Sequence, residues 1–366
     1  MATSMSSSFS QKVSSIKCIL GRPNSFASSR NSKQSTSDLS DKSSREGSQG
    51  PRLSITESSA RSSSYIPPKV WSLDAVTDKA SMGSNLPTAG ARHNSVIHRG
   101  KHRIQLYSMA TPNGQKVTIL LEELLALGYK RAEYDAWLVN ILKDDQFGSD
   151  FVHKVNPNSK IPALLDYSHK SSKRARGEAY PTRIFESSSI LLYLSEQFDH
   201  SFCPPHLRHQ VLNWLFWQTG AAPFVGGGFG HFVVFAKEKH EYPINRFTTE
   251  TKRQLHVLEQ ELAGQQYMCG EEYTLADMAI FAWYGQLILG DVYGASVQEF
   301  LNVESEYPHV LAWARRIQRR PAVQRGCIVN KFWGDGPKLN ERHSSHDITQ
   351  ALLEASGGRI GEQGSI

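Results

Sequence analysis

Cysteine is scarce in this 366-residue chain: Cys18, Cys203, Cys269 and Cys327, with no two close together. That spacing excludes a disulfide framework. The lack of any Cys-x-x-Cys pair or Cys/His cluster also excludes a built-in dithiol and a zinc ligand set. Buried, inert thiols are the expectation for Cys269 and Cys327. No apolar run reaches the roughly 18 residues that span a bilayer, so no membrane partner is expected. Positive charge is lacking where a nucleic-acid binder would need it. The formal +6 comes from 41 Lys/Arg against 35 Asp/Glu, but nine of those bases and only four of the acids precede Tyr65. The body of the chain is close to neutral, which removes the support for a nucleic-acid partner.

Residues 1–64 are roughly a third serine, with few large apolar side chains. They cannot bury enough surface to fold alone, and are expected to be a disordered presequence. The segment begins Met1-Ala2-Thr3-Ser4, is basic, and has no acid before Asp38. Those are features of a targeting peptide, and the hydroxylated start with a late first charge at Lys12 favours a chloroplast over a mitochondrion. A cytoplasmic protein with a phosphorylated tail is the alternative. Residues 65–100 are richer in Pro and aromatics (Tyr65-Ile66-Pro67-Pro68-Lys69-Val70-Trp71), which suggests an ordered arm.

From 101 to 200 strand and helix patterns alternate. Ile104-Gln105-Leu106-Tyr107 reads as a strand that runs into the turn Thr111-Pro112-Asn113-Gly114. A helix follows, with Val117, Leu120, Leu121, Leu124 and Leu125 on one face and Gly128 at its end. Asn156-Pro157-Asn158-Ser159-Lys160-Ile161-Pro162 opens a second strand, Ile161 to Tyr167, which pairs with Thr182 to Phe185. A basic loop, Ser168 to Tyr180, lies between them. Phe185-Glu186-Ser187-Ser188 starts a further helix. Residues 206–330 read as wholly helical, with patterns over Leu207 to Ala236, Ile244 to Leu262, from the capping box Thr274-Leu275-Ala276-Asp277, and over Pro308 to Arg319. Residues 331–366 read as a polar tail. Gly226-Gly227-Gly228 interrupts the first helical pattern. It lacks the preceding strand and following Lys-Ser/Thr of a phosphate loop, so close helix packing is the better account.

These motifs resemble the glutathione transferase superfamily, and most closely its bacterial Nu class of glutathione-dependent disulfide-bond oxidoreductases. Four segments carry the resemblance in order and spacing: Leu106-Tyr107-Ser108-x-x-Thr111-Pro112-Asn113-Gly114-Gln115-Lys116-Val117-Thr118; Val155 through Leu164; Asn213-Trp214-Leu215-Phe216-Trp217; and Gly226 through Phe232. The resemblance implies an α/β thioredoxin-like N-terminal domain followed by an all-α C-terminal domain. It also implies a homodimer, with glutathione as cosubstrate and no metal.

Residue by residue, the resemblance implies that Thr111 and Asn113 stabilise a glutathione thiolate where a strand hands over to a helix N-terminus. Read alone, either residue could equally cap that helix. Ile161-Pro162 matches the cis-proline element, whose backbone would pair with the cysteinyl unit of the ligand, and Lys160 suits the glycine carboxylate. Glu186 and Ser187 suit the γ-glutamyl ammonium and carboxylate, and Gln146 and Asn85 are carried over as polar contacts. Trp217-Gln218-Thr219-Gly220 departs slightly from the bacterial pattern, so no ligand contact is carried to Gln218. Tyr107 reads as a strand-core aromatic, and Arg315, Arg316, Arg319 and Arg320 as a solvated helix face.

The function so implied is glutathione-dependent reduction of small disulfides, and of organic hydroperoxides, by a bound glutathione thiolate with no catalytic protein cysteine. The alternatives are conventional glutathione conjugation to electrophiles and a non-catalytic regulator of the same fold. The tail composition weighs against the latter.

Overall fold

A strand buried along its whole length, Ile104–Ser108 (β1), is the axis on which the molecule is built. The computed structural model describes residues 66–76, 84–168 and 181–356; the Ser-rich segment 1–64 and loop residues 169–180 lie outside the described residues. Residues 66–76, taken by themselves, are extended with one tight turn at Leu73–Ala75.

β1 is flanked by Tyr134–Leu138 (β2) in parallel and Ala163–Asp166 (β3) antiparallel, and β3 pairs with Thr182–Phe185 (β4). The sheet order is β2-β1-β3-β4. Leu106 faces Ala136 on one side and Leu164 on the other, all three buried, so the register puts apolar side chains in one layer. The paired strands at Ala163–Asp166 and Thr182–Phe185 follow the sequence reading. β2 was not anticipated, because buried Asp135 breaks its apolar pattern. That carboxylate is stabilised by the backbone N–H of His102, by Gln105 and by His343.

The turn after β1 starts Pro112–Ala126 (α1). Thr111 is extended and its hydroxyl oxygen accepts from Gly114 N–H at 3.3 Å, while Pro112 occupies the first helical position, where no N–H is needed. The helix stops at Gly128, whose φ of +90° allows its N–H to reach Leu125 and that of Tyr129 to reach Leu124. α1 is covered on all sides, because Lys116, Thr118, Glu122 and Glu123 are buried as well as its apolar stripe. Pro321–Ile328 (α7) closes over it. A Cβ on Gly326 would come within 2.6 Å of the Ile119 backbone.

The helical region includes Ser187–Gln197 (α2), Arg208–Pro223 (α3), Glu241–Leu262 (α4), Leu275–Ile280 (α5), Pro308–Gln318 (α6), α7 and Ser345–Ala355 (α8), with shorter helical segments between α5 and α6. α3 is not interrupted at its glycines. It widens into π-helical turns over Phe224–Phe235, beginning where Pro223 withholds an N–H from the α ladder. The glycine run is a contact surface: side chains on Gly226, Gly228 and Gly230 would strike Trp283, Phe247 and Tyr293. The Thr274–Asp277 capping box is present, and the Asp277 carboxylate also accepts from Trp313 Nε1 and Met268 N–H.

Two surface expectations are corrected. Residues 331–356 are no loose tail, since Arg342 is fully buried, pairs with Glu122 and Glu133, donates to the Tyr134 carbonyl, and exchanges backbone hydrogen bonds with Ala136 at the edge of β2. Arg320, expected in solvent, makes a two-pronged bond with Glu123 at 2.6 and 2.9 Å and lies over Tyr273. No described helix is long and apolar enough to cross a membrane.

Candidate active site

A cleft of about 1290 Å³ opens beside the N-termini of α1 and α2. Its wall brings together Asn85, Thr111, Asn113, Gln146, Lys160, Ile161, Glu186 and Ser187, residues scattered over a hundred positions of sequence. Pro162 is the exception among the anticipated residues. It is buried behind the wall, although the Ile161–Pro162 bond is cis as expected.

Thr111 and Asn113 each carry one structural bond and retain one donor. The Thr111 oxygen caps α1, which leaves its O–H hydrogen without an acceptor among the described residues. The Asn113 Oδ1 accepts from Trp283 Nε1 at 2.9 Å. Indole N–H is a donor only, so this bond fixes which way the amide lies and leaves Nδ2 as a donor. Capping and a donor open toward the cleft are therefore compatible at these two residues. Trp283, from the π-helical turn Phe281–Gly285, was not singled out in the sequence, and its bond spans 170 positions.

Neither Tyr107 nor Ser108 lines the cleft. The Tyr107 hydroxyl donates to the His98 carbonyl at 2.6 Å, and burial pushes its pKa upward.

At the other end, Glu186 is held at φ +70°, a conformation rare for a side-chain-bearing residue, where β4 turns into α2. Such backbone is tolerated where it positions a functional group. Behind Ser187 lies Lys116, which is only 2% exposed. Its Nζ donates to Ser187 Oγ at 3.2 Å and to Gln218 Oε1 at 2.6 Å. Burial pushes the Lys116 pKa down to about 7, against the opposing pull of Glu186. Gln218 itself is fully buried and does not line the cleft. Gln146 does, and its Oε1 is a buried acceptor without a partner among the described residues. Lys160 Nζ lies 3.5 Å from Asn85 Oδ1.

Cys327 also reaches the wall, though sequence separation from Thr111 gave no hint of it. Burial pushes its thiol up to about 12, so it is un-ionised near neutrality and a poor nucleophile. Burial likewise raises Cys269 to about 12 and pushes Cys203 upward. Among the described residues no cluster of His, Cys, Asp or Glu is placed to hold a metal. The rest of the wall mixes Phe235, Trp283, Tyr293 and Trp333 with Gln318, Gln324, Lys331 and Asp335.

Comparison with known proteins gives a consistent picture. Residues 214–321 match the model of the glutathione S-transferase C-terminal domain. The disulfide-bond oxidoreductase YghU of Escherichia coli is 53% identical over 287 residues, 78% of this chain and 95% of its own. The disulfide-bond oxidoreductase YfcG of the same organism is 35% identical over 62% of this chain and 94% of its own. Among solved structures, a glutathione transferase YghU from Streptococcus pneumoniae, crystallised with glutathione, superposes with a TM-score of 0.67. It is 54% identical and is matched over 73% of this chain and 98% of its own. A glutathione transferase from Burkholderia graminis with two glutathione molecules per subunit superposes with a TM-score of 0.54 at 33% identity, over 63% and 90%.

Proposed function

The chain belongs to the glutathione transferase family, and from that premise we propose that it is an enzyme reducing small disulfides with glutathione, using no thiol of its own. The observation that carries this reading is the pair of donors left open at the start of α1, Thr111 O–H and Asn113 Nδ2–H, in a cleft whose one cysteine is held as a thiol. Those donors, together with the Asn113 backbone N–H and the positive end of the helix dipole, favour an anion, here the sulfur of glutathione. Glu186 takes the γ-glutamyl ammonium, Ser187 the adjacent carboxylate, the Ile161 backbone the cysteinyl unit, and Lys160 the glycine carboxylate. Asn85 and Gln146 offer further polar contacts, and Pro162 shapes the wall from behind.

The thiolate attacks one sulfur of the substrate disulfide. The S–S bond breaks, one half leaves as a thiolate that takes a proton, and the other half is retained as a mixed disulfide with glutathione. A second glutathione thiolate then attacks that mixed disulfide, releasing the remaining thiol and glutathione disulfide. The mixed polar and aromatic wall suits a second peptide-like molecule better than a plain apolar electrophile. The protein contributes alignment and charge stabilisation.

A homodimer belongs to the same reading. Phe216 and Phe224, 63% and 42% exposed, offer apolar surface at α3 and the turn that follows it, and sedimentation should give twice the monomer mass. Chloroplast targeting by residues 1–64 is proposed on composition, and a fusion of those residues to a fluorescent protein that stays cytosolic would refute it. The activity is tested by turnover of bis-hydroxyethyl disulfide, cumene hydroperoxide and chlorodinitrobenzene, each with glutathione. Disulfide reduction should dominate. Fast conjugation of chlorodinitrobenzene without disulfide reduction would make the protein a conventional transferase.

A further inference from the structure

The buried ammonium of Lys116 takes no part in thiol–disulfide exchange, yet it lines the cleft behind Ser187. Its three N–H groups meet two acceptors, Ser187 Oγ and Gln218 Oε1, which leaves one donor for a ligand. By donating to Ser187 Oγ, Lys116 also occupies a lone pair of that hydroxyl, so the Ser187 hydrogen must point elsewhere, and the cleft is the open direction. We propose that Lys116 is a specificity-determining residue that recognises the α-carboxylate of the γ-glutamyl end, as the positive counterpart to Glu186 in a site shaped for a zwitterion. This rests on the glutathione reading and deepens it.

The surroundings of Lys116 make the interaction detectable. Glu186, from the β4–α2 turn, is the charged group acting on it; Ser187 of α2 and Gln218 of α3 are neutral. Burial holds the lysine near the midpoint of its titration at neutral pH. A carboxylate arriving beside it favours the ammonium, so the ligand should draw a proton from solution as it binds. The ligand's own thiol would obscure this by releasing a proton, so the probe must lack it.

The experiment is titration calorimetry of the full chain with S-methylglutathione between pH 6 and pH 8, in buffers of different ionisation heat. The comparison ligand is the S-methyl form of γ-aminobutyryl-cysteinylglycine, which lacks only the α-carboxylate. S-methylglutathione should bind with uptake of roughly half a proton at pH 7, rising at pH 8, and its affinity should fall as pH rises through that range. The decarboxylated ligand should bind more weakly, with no uptake. Lys116→Met should weaken S-methylglutathione about 10- to 100-fold and abolish the uptake, while leaving the decarboxylated ligand nearly unaffected. Binding of S-methylglutathione without proton uptake would overturn the role of Lys116 and leave the glutathione site standing, and this holds whether or not the variant folds. If neither S-methylglutathione nor glutathione disulfide binds, the glutathione reading itself fails and the proposal with it.

Discussion

Replacing Thr111 by Val keeps the side-chain shape and removes a hydroxyl that serves two purposes, and the two losses have different signatures. The hydroxyl oxygen caps α1 through a long bond of 3.3 Å to Gly114 N–H, so its loss should cost about 0.5–1 kcal/mol of stability, a small fall in Tm. The hydroxyl hydrogen is free to meet sulfur. A hydrogen bond to a charged group contributes about 1.5–3 kcal/mol, so removing it should raise the pKa of bound glutathione by about 1–2 units. The thiolate population at neutral pH then falls about 10- to 150-fold. A more basic thiolate is also a better nucleophile, with a Brønsted slope near 0.4–0.5, which restores about half of that on a logarithmic scale. The net loss in turnover at neutral pH should therefore be about 3- to 15-fold. Because the wild-type donor depresses the pKa, the deficit is full below the wild-type value and disappears as pH rises through the variant's. At high pH Thr111→Val should equal or overtake the wild type. Ultraviolet titration of bound thiolate reads the shift directly, disulfide reductase rates against pH read its consequence, and Thr111→Ser should behave as wild type in both. An unchanged thiolate titration in Thr111→Val would refute the assignment. So would loss of activity in Tyr107→Phe, since that hydroxyl is committed to His98 outside the cleft.

Trp283→Phe should lower kcat/KM about 3- to 10-fold with the fold intact, because the Asn113 amide loses the bond that sets its direction. Gly226→Ala, whose Cβ would lie 2.6 Å from the Trp283 ring, should reproduce that defect in the same kinetic assay. Arg342→Met should destabilise the protein by about 3 kcal/mol in urea unfolding, the low end for breaking a buried pair, since Glu122 keeps Arg325 and the Tyr134 hydroxyl. Lys116→Met should change the pH dependence of stability. The folded lysine titrates near 7 and the unfolded one near 10.5, so the unfolded chain holds the extra proton between those values. Wild-type stability should gain from this group as pH rises through that window, and the variant, measured against it by denaturant melts, should lack the gain. The triple Cys203→Ala, Cys269→Ala, Cys327→Ala variant should keep most disulfide reductase activity; a hundredfold loss in a folded variant would make a protein thiol the nucleophile.

What could be read in the sequence was local in origin. The apolar stripe of α1 and its glycine stop are each set within a few residues and both appear as read, while Pro112, Asn113 and Gly114, read as part of a turn, form the first turn of the helix. The residues that line the cleft were legible where they sit in a turn or a helix start, as with Thr111, Asn113, Glu186 and Ser187. Strand β2 was missed because Asp135 is buried inside it, and a carboxylate in a strand signals solvent unless its partners, His102, Gln105 and His343, are known. Arg320 and Arg342 were assigned to surface or tail for the same reason. The residues that hold them in the fold, Glu123 for the partly exposed Arg320 and Glu122 and Glu133 for the buried Arg342, lie about two hundred positions away.

The same limit explains why the groups behind the cleft wall were hidden while several residues of the wall itself were not. Asn113 reads as a polar residue at a helix start, but what determines its direction is an indole 170 positions further on. Lys116 sits on a helix that is otherwise apolar at the neighbouring Val117, and a lone lysine there defaults to solvent. It can be buried because Ser187 and Gln218, 71 and 102 positions away, accept from it. Buried polar groups are costly unless partnered, so each such pair is stable only when the folded chain has brought both members together. Thr111, Asn113 and Ser187 each present one donor to the cleft because another of their hydrogen-bonding groups is already engaged inside the protein. The polar face of this site is therefore set from behind, by Gly114, Trp283 and Lys116; substitutions at Gly114 and Trp283 should alter how the site binds and ionises its ligand without touching the ligand, whereas Lys116 acts both through Ser187 and on the ligand itself.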